Sequence, residues 1–301
     1  VIEPAAELLA LGRASGAASI AVIGTSKNAG KSVVVAALAA ALAREGSAFG
    51  LCSTGRDGEA IDAIDGAAKP RFFLRPGATV ALPAALVPRT PALEILETTA
   101  ESGALGRIVL ARVRAPGFVE IAGPPTASAL RRIADALVAR CGYALVDGAV
   151  DRIAALRGGA DAVVVAVGAA TAATPALAVD AVAALVARLR LPVAADGIDA
   201  VRIVGALTAE DAAAFVRAGE SRPIVVGDAT HVAFGGRTFL SLRARLDLRC
   251  ARALRPIACT VASLSRDRSF EPRAFARAVA RRTGLPTFDV YAGTVALAAS
   301  A

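Results

Sequence analysis

The chain reads as an α/β protein built on a doubly wound, mainly parallel sheet, and three features of the sequence predict it. Short apolar runs of strand length alternate with longer stretches of helical period. The clearest junction, Ser19 to Leu42, passes from SIAVIG through a glycine-containing loop into VVVAALAAAL, which is apolar nearly all round. Several later runs, such as DAVVVAV at 161–167, are apolar without alternation, as expected of strands covered on both faces.

Taken in order, residues 1–16 suggest a short helix and a lead-in. They lack the basic start and long apolar core of a signal peptide. Strand 19–24, a loop and a helix follow, with Gly46 as the helix stop. AFGLCS at 48–53 is a second buried strand, leading into the polar TGRDGEAID. Residues 70–90 hold Pro70, Pro76, Pro83 and Pro88 and are expected to be irregular, apart from a strand at RFFL. Thr90-Pro91 is expected to open a helix to about Ser102. Residues 107–113 and 118–121 read as strands, with Ala115-Pro116-Gly117 a hairpin or kink between them.

Thr126 caps an amphipathic helix. Leu130, Ile133, Ala134, Leu137 and Val138 form its core face, and Arg131, Arg132, Asp135 and Arg140 face out. YALV at 143–146 is a strand closed by Asp147-Gly148-Ala149. Residues 162–179 carry no charge, but their Gly, Thr and Pro175 argue for strand, turn and helix rather than a membrane span. Thr174-Pro175 opens that helix, to about Arg190. Strands at 201–205 and 223–227 flank a helix from about Thr208. Beyond Thr230 the rhythm weakens, with strands expected at 257–262 and 286–291 around a helix from Pro272 to Arg282. The expected division is a nucleotide-binding domain at 17–230 and a smaller α/β extension at 231–301.

Composition bounds the function. Residues 237–282 hold 12 Arg against Asp247, Asp267 and Glu271, a local charge of +9 in a chain of net +8. The basic excess is therefore local. On the last helix Arg273, Arg277 and Arg281 stand four apart, a stripe better read as a solvated face than as a nucleic-acid surface. Cys52, Cys141, Cys250 and Cys259 lack metal-ligand spacing, which points to a reduced, cytoplasmic protein. His231 is the single histidine, and no Ser/His/Asp or Cys/His constellation is evident.

The loop GTSKNAGKS carries the chemistry. A strand, a loop ending in Gly-Lys-Ser and a helix make the layout of a phosphate-binding P-loop. Backbone N–H groups around Asn28, Ala29, Gly30, Lys31 and Ser32 would wrap a phosphate, with Val33 in the first helical turn. Lys31 would reach the β- and γ-phosphates, and the Ser32 hydroxyl would hold Mg²⁺. The usual pattern has Gly six residues before the lysine; here Thr25 stands there, with Gly24 one place earlier and Ser26 and Lys27 following. The plain alternative is a βα turn with a surface lysine. Against it, the 34 basic residues include only Lys27, Lys31 and Lys69, and two of these three lie in this loop. A magnesium nucleotide needs further oxygen ligands at strand ends. Asp147 is the candidate after its strand, and Asp57 the candidate after the second, with Glu59 as its competitor.

This loop resembles that of the dethiobiotin synthetase and cobyric acid synthase group of P-loop NTPases. The resemblance implies ATP and Mg²⁺, with Asp57 and the Asp147 of LVDGA joining Ser32 on the metal. It also implies Lys27 near the phosphates and frequent homodimers. STGRDGEAID, AAKPRFFLRPG, TPALEI, ALGRIVLARVRAPGFVEIAGP and LVDGAVDR extend the likeness, over roughly residues 20–170, to the P-loop subunit of lysine 5,6-aminomutase reactivase. That family implies an ATPase that supports an adenosylcobalamin-dependent aminomutase, with the aminomutase or a second reactivase subunit as protein partner. The alternative is an ATP-dependent ligase of the dethiobiotin synthetase type, although no counterpart of its substrate pocket is visible.

Overall fold

The computed structural model describes residues 4–54, 56–57, 72–89, 92–150, 161–289 and 295–296. The first part of the chain forms α1 (Pro4–Ala14), β1 (Ser19–Gly24), α2 (Lys31–Arg44), β2 (Phe49–Ser53), β3 (Arg56–Asp57), β4 (Phe72–Leu74) and β5 (Ala78–Pro83). Then come β6 (Leu93–Gly103), β7 (Gly106–Val113), β8 (Gly117–Val119), β9 (Ile121–Ala122), α3 (Ala127–Cys141), β10 (Ala144–Val150) and β11 (Asp161–Gly168). The remainder is α4 (Pro175–Leu189), β12 (Val201–Arg202), α5 (Ala209–Arg217), β13 (Ile224–Val226), α6 (Gly236–Arg243), β14 (Leu248–Cys250), β15 (Arg255–Ala262), α7 (Pro272–Thr283), β16 (Thr287–Asp289) and β17 (Val295–Ala296).

Ten strands form the main sheet, in the order β17-β16-β15-β11-β1-β10-β2-β5-β7-β6. From β16 to β5 every neighbouring pair is parallel. β7 and β6 close one end and β17 the other in antiparallel fashion. The sheet is covered on both faces, which is why its strands are apolar runs. Alternate residues of β1 separate cleanly. Ile20 and Val22 pack with Leu8 and Leu9 of α1 and Val35 and Leu38 of α2, while Ala21 and Ile23 pack on the other side, in the cluster that holds α3, α4 and α7. The doubly wound architecture expected from the sequence is present.

Helix starts follow their caps. The hydroxyls of Thr126 and Thr174 accept from backbone N–H groups at the heads of α3 and α4, as anticipated, and that of Thr208 does the same at the head of α5. The α3 face is also as expected, with Leu130, Ile133, Ala134 and Leu137 buried. Residues 162–179 divide into β11, a turn and α4, and among the described residues no helix is long and apolar enough to cross a membrane.

Four expectations are corrected. Residues 93–102 are not helical but belong to the exposed edge strand β6, hairpinned onto β7; Thr90 and Pro91 themselves lie outside the described residues. Pairing with GRIVLARV across a tight turn at Gly106 (φ +97°) outweighs local helix signals. The edge is blunted by charge: Glu94, Glu97 and Glu101 pair with Arg114, Arg140 and Arg132. Within the stretch expected to be irregular, β5 is a fully buried strand of the main sheet, with Pro83 at its last position. β12 and β13 do not extend the main sheet; with β14 they form a separate parallel sheet in the order β12-β13-β14. Conversely, β15, β16 and β17 return to the main sheet beside β11, so the chain does not divide at residue 230 into two sheets. The small sheet is an insertion between α4 and β15, and one hydrophobic cluster joins it through α4 to the main sheet.

Candidate functional site

β1 ends at Gly24 in the middle of the sheet, between β10 and β11. The next residue still belongs to the ladder in effect, since Thr25 N–H donates to the Ala166 carbonyl at 3.0 Å. The chain then turns sharply. Asn28 (φ +60°) and Gly30 (φ +91°) take left-handed conformations, and Ala29 between them is buried. α2 starts at Lys31 with Gly30 as its N-cap, no side chain capping it and no acid in its first turn. The first N–H groups of α2, through Val33, are thus left without a side-chain cap.

Lys31 folds back over the loop, and its Nζ donates to the Ser26 carbonyl at 3.2 Å. Gly24 makes room for that path: a Cβ there would stand 3.0 Å from Lys31 Cδ and 3.3 Å from Ala29 Cβ. The displaced glycine of the sequence motif therefore has a packing role of its own. Lys27 is at the exposed outer side of the loop. Ser32 points the other way, and its hydroxyl donates to Asp147 Oδ2 at 3.0 Å. The structure thus joins two predicted metal ligands that lie far apart in the sequence.

Asp147 is only 2% exposed. It does not close its strand as expected, because β10 continues to Val150. Regular pairing nevertheless ends there: Asp147 is the last partner on the β2 side, opposite Ser53, and the β1 ladder shifts register just after Val22↔Asp147. Its carbonyl accepts Thr54 N–H at 3.0 Å. The candidate Asp57 sits on β3, paired antiparallel with Ile121 of β9. Its side chain, like Glu59, Asp151 and Arg152, lies outside the described residues. Among the described residues no group of three or more His, Cys, Asp or Glu could hold a metal. Among the described residues, Ser32 and Asp147 are the oxygen donors brought together here.

Two contributors escaped the sequence reading. Thr171, in the turn after β11, has its hydroxyl 3.1 Å from Thr25 Oγ1 and 2.9 Å from Ser26 Oγ, and it accepts Gly168 N–H at 3.2 Å. Gly168, the last residue of β11, lies flat against the loop; a Cβ there would meet Ala29 Cα at 3.1 Å and the Asn28 carbonyl oxygen at 3.2 Å. The only sequence sign of either is that an apolar strand ends in the small residues GAAT. Cys52, Cys250 and Cys259 are buried, and burial pushes the Cys259 thiol up to about 12. The stripe of Arg273, Arg277 and Arg281 is exposed on α7. Compared with known proteins, the chain matches no family model, no curated protein and no solved structure.

Proposed function

We propose that the loop Gly24–Val33 binds the phosphates of ATP with Mg²⁺, and that the chain is an ATP-hydrolysing accessory protein of an adenosylcobalamin-dependent aminomutase. One observation carries the nucleotide reading: the Ser32 hydroxyl bonded to a buried carboxylate, Asp147, at the foot of an uncapped helix. The residues suit the ligand. Gly168 lets the loop backbone approach closely, Gly24 leaves room for the Lys31 stem, Gly30 takes the left-handed turn into α2, and an acid-free first turn favours an anion. Ser32 and Asp147 offer the hard oxygen donors that Mg²⁺ prefers.

ATP would supply the transferable phosphoryl group, and Mg²⁺ would offset its charge. Lys31 would exchange the Ser26 carbonyl for a phosphate oxygen, a charge-assisted and therefore stronger hydrogen bond. Thr171 holds Thr25 and Ser26 so that the loop is set before the ligand arrives. The accessory role rests on the likeness of the segments between residues 20 and 170 to the reactivase subunit.

The experiment is phosphate release from ATP by the purified chain. Slow basal release is expected, stimulated by an aminomutase, absent in Lys31→Ala, and unmoved by carboxylic acids such as diaminopelargonate carbamate. Stimulation by an acid with formation of a cyclic urea or amide would instead establish a ligase.

A further inference from the structure

The small sheet carries a charged cluster that a nucleotide site at Gly24–Val33 does not use. Just past β13, Asp228 is 1% exposed. Its Oδ1 accepts the Thr230 backbone N–H at 2.9 Å and the Thr230 hydroxyl. His231 Nδ1 lies 3.3 Å from the same oxygen and 3.3 Å from the Asp228 backbone nitrogen. Oδ2 is buried with no hydrogen-bond partner among the described residues. Arg252 Nη2 stands 3.6 Å from it, an ion pair without a hydrogen bond. Arg252 is brought there from the end of β14, where its N–H donates to the Gly227 carbonyl at 3.0 Å. The imidazole lies over Gly227, whose Cβ would stand 3.0 Å from His231 Cε1.

One buried carboxylate thus orients two groups that reach solvent. The His231 side chain is 36% exposed and that of Arg252 59% exposed. Capping a three-residue turn at 229–231 needs only Oδ1. A buried charge costs several kcal/mol unless it is well paired, so a second oxygen answered only at ion-pair distance calls for another purpose. Arg252 has guanidinium donors beyond the one facing Asp228. The Nδ1 contacts set the ring, and no described residue hydrogen-bonds His231 Nε2. All this lies at the carboxyl ends of parallel strands, where open α/β sheets take their ligands. The cluster has two ligand-type residues, too few for a metal, and the Thr230 hydroxyl is spent on Asp228 rather than aimed at a base.

We propose that this edge is a second binding site, for a small oxyanion of the carboxylate or phosphate class. Arg252 bridges the buried Asp228 and the incoming anion, and His231 donates from Nε2. The site stands independently of the nucleotide reading.

His231 is the single histidine of the chain, so its Cε1 proton gives one isolated resonance. That signal is followed in the full chain while inorganic phosphate or, separately, acetate is added at constant ionic strength. A saturable movement is expected with one of the two, which identifies the class. It should persist in Lys31→Ala and weaken at least tenfold in the exposed-site variant Arg252→Gln. No saturable movement with either anion overturns the proposal. So does an undiminished response in Arg252→Gln, or its loss in Lys31→Ala, which would move the anion to the phosphate loop.

Discussion

Gly168→Ala tests whether the backbone of the loop at 25–30 must lie where it does. The new Cβ would sit 3.1 Å from Ala29 Cα and 3.2 Å from the Asn28 oxygen. Carbon contacts are comfortable at about 3.5–4.0 Å, so the loop must give by roughly half an ångström. Retreat is opposed on one side by the Thr25–Ala166 hydrogen bond and on the other by Gly24 packed under Lys31. Binding constellations tolerate displacements of about 0.5 Å before affinity suffers, so about tenfold weaker binding follows, or about 1.4 kcal/mol. The assay is the rise in melting temperature with Mg-ATP. At a hundred times its Kd a ligand stabilises by about 2.7 kcal/mol. For a chain of this size that is roughly 5 °C, and the variant should lose about half of it. Overpacking also lowers the apo melting point, so Val182→Ala, in the α4 core, serves as the control: a lower apo value with the full ligand rise. A full rise in Gly168→Ala would refute the claim that the loop backbone is the binding surface.

Asp147→Asn keeps an acceptor for the Ser32 hydroxyl but removes the carboxylate charge that would face Mg²⁺. The added stabilisation by ATP should then no longer depend on Mg²⁺; a preserved Mg²⁺ dependence would show that Asp147 does not hold the ion. A pH prediction concerns the head of α7. The Ala274 and Arg273 backbone N–H groups hold the Glu271 carboxyl below its ordinary range. A depressed value means stability that is present above the ordinary carboxylate pKa of about 4.3 and lost as pH falls through the lowered one. Glu271→Gln should therefore lower the melting temperature at pH 7 and flatten its decline as pH falls below the ordinary carboxylate range. An unchanged acid limb would mean that the cap contributes nothing.

What could be read from the sequence was local. SIAVIG, its loop and the following helix are contiguous, so the phosphate-loop residues emerged together. The caps Thr126 and Thr174 were legible because a cap acts within three residues of itself. Asp147 was legible because an apolar run stops at it, although β10 goes on to Val150. The failures concern partners that lie outside the segment being read. LEILETTAESG follows a helix-opening dipeptide, and only its pairing with β7 makes it a strand. β5 sits among prolines, and its place beside β2 and β7 is fixed by burial rather than by propensity. Thr171 and Gly168 reach the loop from well over a hundred residues away, and nothing in GAAT announces it. Which of two sheets β12, β13 and β15 would join was likewise a question of packing.

The detour through the small sheet also sets the order in which the molecule can be completed during synthesis. β1, β2, β5, β7, β10 and β11 are all made before Asp180, and they can pair as they emerge. β11, with all eight residues buried in the finished protein, must then wait for β15 to satisfy its second edge. At roughly 5–20 residues per second, the intervening chain takes on the order of ten seconds to appear. Throughout that interval a valine-rich edge is open to any other chain nearby. Slow codons, a chaperone site or an early stop between residues 190 and 254 would thus act on aggregation rather than on the phosphate loop, whose own strands are already in place.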